Sequence, residues 1–343
     1  MISDELLRIV RCPDCGGSLS GSRAVLSCDS CSRDFASPDG TYLSLNPTDR
    51  FAEETKFVDE AFHVDGRDEM VSPPLLTAGV KNAMLQRYLD MGPNDRVLDL
   101  GCGNGRFLIW QLNSGADLLG VDVAPYFSSE ATTHVDLITG DLRKLPLVDG
   151  AVTRAYSLDV CEHLSLEGLS LMLREAHRVL APGGALFLYT HVRKNSWVAL
   201  GPILIRNLAF GLDRIGILDL SKERLRKSDH LNPLATIDDL YDVAAKGGFR
   251  IETLRYYTPL FGGLIENLIV PLVEQTLRTI SRWRAKSDDA GTAREARLSV
   301  KRRIATGGPT SIILSWLTKL SMLDIFLFGR VKSGPFFALL RKE

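Results

Sequence analysis

From Pro93 onward, short runs of β-branched and aliphatic residues alternate with segments whose apolar positions recur at helical spacing. The runs are RVLDL (96–100), DLLGVDV (117–123), VTRAYSL (152–158) and ALFLYT (185–190). Between the last two, Leu166, Leu169, Leu173, Ala176 and Leu180 mark one helical face, which Pro182-Gly183-Gly184 ends. A later helix opens at Thr236, where Asp239 stands ready to complete a capping box, and closes at Gly247-Gly248. FRIETLRYY (249–257) and PFFALLRK (335–342) supply two further strands. Such alternation predicts an α/β fold, a doubly wound and mostly parallel sheet with helices on both faces.

Other parts of the chain have other rhythms. Residues 1–46 form a Cys- and Gly-rich unit that ends at the Asn46-Pro47-Thr48-Asp49 turn signal. Residues 51–90 read as mostly helical, with Pro73-Pro74 as a helix start and Gly92-Pro93 as a stop. Two apolar stretches, at about 192–233 and 257–333, break the strand-helix alternation, and Ser287–Ala293 reads as a flexible tip. The division expected is therefore a small unit at 1–46 and a large domain over 51–343 carrying two insertions.

The formal net charge of -1 over 343 residues gives no global field that would draw a nucleic acid, so any such affinity must be local. Asp4 and Glu5 and the lack of an apolar run near the N-terminus speak against a secretory signal and for a cytoplasmic chain. Thr258–Ile280 is interrupted by Glu266, Asn267 and Glu274, and Thr310–Phe328 by Lys319 and Asp324. Neither is then an unbroken run of the roughly 18 residues a spanning helix needs, although both could lie on a membrane.

Four of the six cysteines form two Cys-x-x-Cys pairs, Cys12 with Cys15 and Cys28 with Cys31. Two such knuckles can present four thiolates tetrahedrally to Zn²⁺ and close its coordination sphere, which makes the ion structural. Disulfides are the alternative, disfavoured in a reducing compartment. LLRIVRCPDCGGSL and CDSCSRDFASPDGTYLSL resemble the small zinc-binding activators of tRNA and rRNA methyltransferases, which brings an RNA substrate into consideration.

VLDLGCGNG (97–105) is an apolar strand ending in a glycine-rich turn that opens a helix. A dinucleotide loop would have a third glycine where Arg106 stands. Asp122 ends the next strand, and Asp141 lies in GDLRKLPL after the third; a carboxylate at the first of these places can accept from ribose hydroxyls. A lone Asp is by default a helix cap or a solvated group, and it is the combination with the glycine turn that points to a nucleoside site.

With these residues in place, 93 to about 191 resembles the class I S-adenosylmethionine-dependent methyltransferases, similar to the quinone-biosynthesis type. LPLVDG (145–150), DVCEHL (159–164) and HRVLAPGGALFL (177–188) match that family's later motifs, whereas Val152-Thr153 departs from its usual Phe-Asp. The resemblance implies a seven-stranded Rossmann-like sheet. It also implies that Asp99, Gly101, Gly103 and Gly105 hold the methionine part of S-adenosylmethionine, Asp122 the ribose, and Asp141 with Leu142 the adenine. Cys102, Val123 and Ser157 are the remaining expected cofactor positions.

For an oxygen acceptor, methyl transfer can call on a base. Three histidines fall at the ligand edge of such a sheet: His163, His191 and His230. His191 is the preferred candidate base, with a simple capping role as its alternative; His163 reads as structural, near the cofactor. The place after strand 152–158 reads Ser157-Leu158-Asp159-Val160 and lacks the Asn/Asp-Pro-Pro-aromatic motif common in amino methyltransferases.

The basic stretch Arg278–Arg303 holds nine Lys or Arg against three acids, with Trp283 inside it and Trp316 following. Flanked by apolar segments, it suits an anionic membrane surface, though a solvated helical subdomain and RNA phosphates remain alternatives. The function expected is methyl transfer to a small or lipid-linked acceptor at oxygen or carbon, by a cytoplasmic chain peripheral to the inner face of a membrane. RNA methylation and non-catalytic cofactor binding in an assembly are its rivals.

Overall fold

The computed structural model describes residues 2–48, 71–193, 197–218, 220, 230–272 and 308–343. The helical pattern expected over 51–70, the basic stretch 278–303 with Trp283, and the Ser287–Ala293 tip lie outside the described residues.

The N-terminal unit comprises α1 (Asp4–Ile9) and the strands β1 (Leu19–Gly21), β2 (Val25–Cys28), β3 (Asp34–Ala36) and β4 (Leu43–Ser44). Then come α2 (Leu76–Leu89), β5 (Arg96–Leu100), α3 (Arg106–Ile109), β6 (Asp117–Asp122), α4 (Ser129–His134) and β7 (Asp136–Thr139). The second half runs β8 (Val152–Leu158), α5 (Leu166–Val179), β9 (Leu180–His191), α6 (Leu200–Arg214), α7 (Ile237–Lys246) and β10 (Phe249–Tyr256). It ends with α8 (Leu260–Leu264), α9 (Pro309–Phe328) and β11 (Pro335–Lys342).

The main sheet has the order β10-β11-β9-β8-β5-β6-β7-β4. β11 is antiparallel to both its neighbours, and the other pairings are parallel. The strand order reverses between β5 and β8, which places the topological switch point beside the glycine-rich turn. Seven strands were expected, and an eighth is present: β4 pairs with β7, Leu43 opposite Ile138. It covers a strand edge whose N–H and C=O groups would otherwise face solvent.

Period-two alternation explains the two cores. Leu98, Leu100, Leu119 and Val121 pack on one face with Leu169, Met172 and Leu173 of α5. Val97 and Leu118 pack on the other with Val80, Met84 and Leu85 of α2. Ile2, Leu6, Val10, Leu26 and Phe35 of the N-terminal unit join the first of these clusters, so that unit shares the core of the sheet. Ser3 reinforces the junction by donating to Asp136 from both its N–H and its hydroxyl.

The capping box at α7 forms as read, Thr236 N–H donating to Asp239 at 2.7 Å. The helix expected to start at Pro73-Pro74 begins instead at Leu76. Leu75 is extended and Leu76 has φ 57°, so the helical path opens only there, and the Leu76 N–H is taken up by the Thr318 hydroxyl at 2.7 Å.

The apolar insertions produce α6, α8 and α9. Contrary to the sequence expectation, Ser311–Phe328 is a helix long and apolar enough, by length and composition, to cross a membrane. The acid that seemed to interrupt it, Asp324, turns inward and accepts from the N–H groups of Phe261 and Gly262 at 3.0 and 2.9 Å, at the start of α8. Phe326 is left 84% exposed and Trp197, ahead of α6, 77%.

Candidate active site

β5 is interior, and at its end the backbone enters the left-handed region at Gly101 (φ 84°) and again at Gly103 (φ 55°), which a side chain would strain. A Cβ on Gly101 would come within 2.4 Å of Val160. A Cβ on Gly103 would meet nothing within 4 Å, so this peptide fronts open space at the carboxyl edge of the sheet. Gly105, also at positive φ, packs against Ala131 and admits α4 closely.

Asp122, at the tip of β6, folds over the same turn. Its carboxylate accepts from Gly103 N–H at 2.7 Å and from Ala124 N–H at 3.0 Å. Asp99 lies beneath, 2% exposed; burial pushes its pKa well up, the Asp122 charge adds to the shift, and the neighbouring Tyr156 hydroxyl and Arg106 oppose it. Asp141 is buried and gripped by Arg143, whose Nε and Nη2 lie 2.8 and 2.7 Å from its two oxygens. Leu142 is buried and Val123 half-buried beside these acids in the chain.

Two expected cofactor positions are occupied with internal work. The Ser157 hydroxyl donates to Leu100 carbonyl at 2.8 Å and ties the tips of β5 and β8 together. Cys102 is buried with its sulfur against Gly120, and burial raises its thiol pKa, so only its backbone fronts the turn.

A second group of side chains gathers where β8 and β9 end. The rings of His163 and His230 stand edge to face with centroids 4.6 Å apart, and His191 lies 5.9 Å from His230. Glu162 joins them, buried, accepting from the Thr190 hydroxyl at 3.1 Å. Burial, then the charge of Asp159, pushes its pKa up to about 8. Its carbonyl receives the N–H groups of Leu231 and Asn232 at 2.8 and 2.9 Å, which is what brings the His230 turn to this edge. Asp159 has φ 59° and pairs with Lys81, whose ammonium sits 4.3 Å over the Tyr189 ring. The sequence singles out the three histidines by position and assigns no site role to Glu162, Asp159, Lys81 or Tyr189. Lys81 and Tyr189 come from elements far apart in the chain and carry no local signal.

In the N-terminal unit the four thiol sulfurs converge, Cys12 to Cys31 at 3.7 Å and Cys15 to Cys28 at 3.4 Å. Tetrahedral zinc thiolates at about 2.3 Å require nearly that separation, so the cluster is able to hold a metal. The Cys31 N–H lowers the Cys28 thiol to about 7, whereas burial raises that of Cys12.

Residues 98–188 match the family model described as a methyltransferase domain. An uncharacterized methyltransferase of Synechocystis is 29% identical over 120 residues, 34% of this chain and 57% of the relative. A demethylmenaquinone methyltransferase of Mycolicibacterium vanbaalenii is 35% identical over 103 residues, 29% of this chain and 42% of the relative. The chain thus spans less than two thirds of the curated relatives it matches. Among solved structures, Haemonchus contortus phosphoethanolamine N-methyltransferase 2, in complex with phosphomonomethylethanolamine and S-adenosylhomocysteine, aligns with a TM-score of 0.51. That alignment has 18% identity and covers 85% of this chain and 61% of the other. The fold is that of the class I S-adenosylmethionine-dependent methyltransferases, with helical insertions and an N-terminal cysteine cluster.

Proposed function

We propose that this chain is an S-adenosylmethionine-dependent methyltransferase that acts at a membrane surface on a small or lipid-linked acceptor, at oxygen or carbon. The observation that carries the reading is Asp122 reaching over the open backbone of Gly103 at the switch point of the sheet. The residues fit the cofactor: a side chain at Gly103 would fill the cradle, and the Asp122 carboxylate is fixed at its rim by the two loop N–H groups.

When bound, S-adenosylmethionine supplies an activated methyl group on a sulfonium. Gly101, Gly103 and Gly105 let the backbone approach its methionine part, with Asp99 buried beneath; Asp122 with Val123 takes the ribose, and Asp141 with Leu142 borders the adenine. Asp141 is held rigid by Arg143, which fixes the rim of that pocket rather than leaving a loose carboxylate. Cys102 and Ser157 serve by position, the first through its backbone and the second by locking β8 to β5. His191, His163 and His230 stand on the acceptor side, and His191 is the group proposed to receive a proton from a hydroxyl acceptor.

A lipid-linked acceptor is favoured by the outward apolar residues Leu204 and Leu208 of α6 and Ile313, Trp316 and Phe326 of α9. The sequence between α8 and α9 adds the nine basic residues of 278–303, complementary to an anionic headgroup layer at the inner face of a membrane. In the N-terminal unit the four cysteines are proposed to hold structural Zn²⁺. The test is methyl incorporation from labelled S-adenosylmethionine. Label in a lipid extract is the expected outcome, label in tRNA or rRNA would transfer the protein to the RNA-modifying class, and label in neither would leave a cofactor-binding assembly protein.

A further inference from the structure

We propose that Glu162, His163 and His230 form a second metal site, distinct from the four cysteines, which binds a divalent cation at the acceptor side of the crevice. One carboxylate oxygen and one ring nitrogen from each histidine lie within 4.8 Å of one another. Two imidazoles and a carboxylate on one side of an ion leave several positions open, the donor set of Zn²⁺, Mn²⁺ or Fe²⁺ sites that also bind a substrate.

Three features show that the fold builds this cluster. The His230 turn is fastened to the carbonyl of Glu162 itself by two backbone hydrogen bonds, with Asn232 at φ 48° to close the turn. The Glu162 side chain is buried and held by the Thr190 hydroxyl at 3.1 Å; an ion would offset the cost of burying its charge. The Oδ1 of Asn232 is buried without a hydrogen-bond partner among the described residues, on the turn that carries His230, where a water bound to a metal would supply a donor.

The site stands at the ends of β8 and β9, and Asp122 ends β6 on the same carboxyl edge. Resting on the methyltransferase reading, its ligand is an acceptor with two adjacent oxygens, such as neighbouring hydroxyls or a hydroxyl beside a carbonyl, that can occupy the open positions together. Coordination lowers the pKa of a bound hydroxyl, and His191 lies within reach of this cluster as the neighbouring proton acceptor.

The test is titration of protein brought to one zinc per chain, held by the four cysteines and freed of excess metal, with Mn²⁺, read by loss of the free-ion electron paramagnetic resonance signal, and with Co²⁺, read by absorption. Thiolates select poorly for Mn²⁺, so the cysteine cluster does not compete. One Mn²⁺ per chain is expected, or Co²⁺ bands without sulfur charge transfer. Glu162→Gln and His230→Ala should each weaken binding by at least about tenfold, whereas His177→Ala, at a distant helix end, should not. Should Glu162→Gln fail to fold, His230→Ala, at a partly exposed position, carries the comparison. Absence of both signals, or equal binding by the variants, overturns the site. S-adenosylmethionine affinity, measured by calorimetry on the same samples, reports separately on the methyltransferase reading.

Discussion

Asp324 accepts a hydrogen bond from the backbone N–H of Gly262 at 2.9 Å, so the one acidic side chain of α9 faces the protein and not its surroundings. The outer face keeps Trp316 and Phe326, and the helix retains an apolar surface despite its charge.

That surface gives the first prediction. The protein should sediment with anionic liposomes and less with neutral ones. Phe326→Glu should reduce binding by roughly tenfold or more, since burying a large apolar side chain contributes about 1.5–3 kcal/mol. Unchanged sedimentation of that variant would remove α9 from the contact. Asp324→Ala should act otherwise, lowering stability by about 1–3 kcal/mol through the unsatisfied N–H groups of Phe261 and Gly262, as read by denaturant unfolding.

Asp122→Ala should weaken S-adenosylmethionine binding by about 1.5–3 kcal/mol, the worth of a hydrogen bond to a charged group. Because the same carboxylate holds Gly103 and Ala124, Asp122→Asn should lose less, retaining one acceptor for the turn. Calorimetry on both variants separates the ribose contact from the support of the loop, and equal affinity for all three proteins would refute the placement.

Replacing Cys28 and Cys31 with Ser should release zinc, measured by elemental analysis, and should lower the unfolding temperature of the whole chain. The second effect follows from the shared core: Leu26 and Phe35 pack in the same cluster as Leu98 and Val121. Metal loss with no change in the unfolding of the sheet would contradict that coupling.

Asp99 predicts a pH dependence. Its folded pKa is raised by burial above an unfolded value of about 3.9, so the native state holds the proton more firmly. Stability is then greatest near and below that unfolded value and falls as pH rises through the folded pKa. Asp99→Asn should cancel this contribution, so the variant should gain on the wild type as pH rises from about 4. Denaturant midpoints of the cofactor-free proteins across that range are the measurement, and a difference independent of pH would rule it out.

The chain alone determined the strands and their chemistry wherever local rules suffice. RVLDL is read as a strand because Val97, Leu98 and Leu100 make a short apolar run that stops at a turn, and the glycines after it because a positive φ disfavours a side chain; both appear at 96–105 as expected. The cysteine spacing likewise marks two local knuckles, and the fold brings their sulfurs together into a cluster able to hold a metal. Tertiary structure alone decided which distant residues meet. Nothing within a window of sequence tells that β4 will cover the edge of β7, that Asp324 will turn inward to Gly262, or that the His230 turn will hang from the carbonyl of Glu162. Those contacts arise when unsatisfied backbone groups and buried charges find partners during packing, and that search runs through space rather than along the chain.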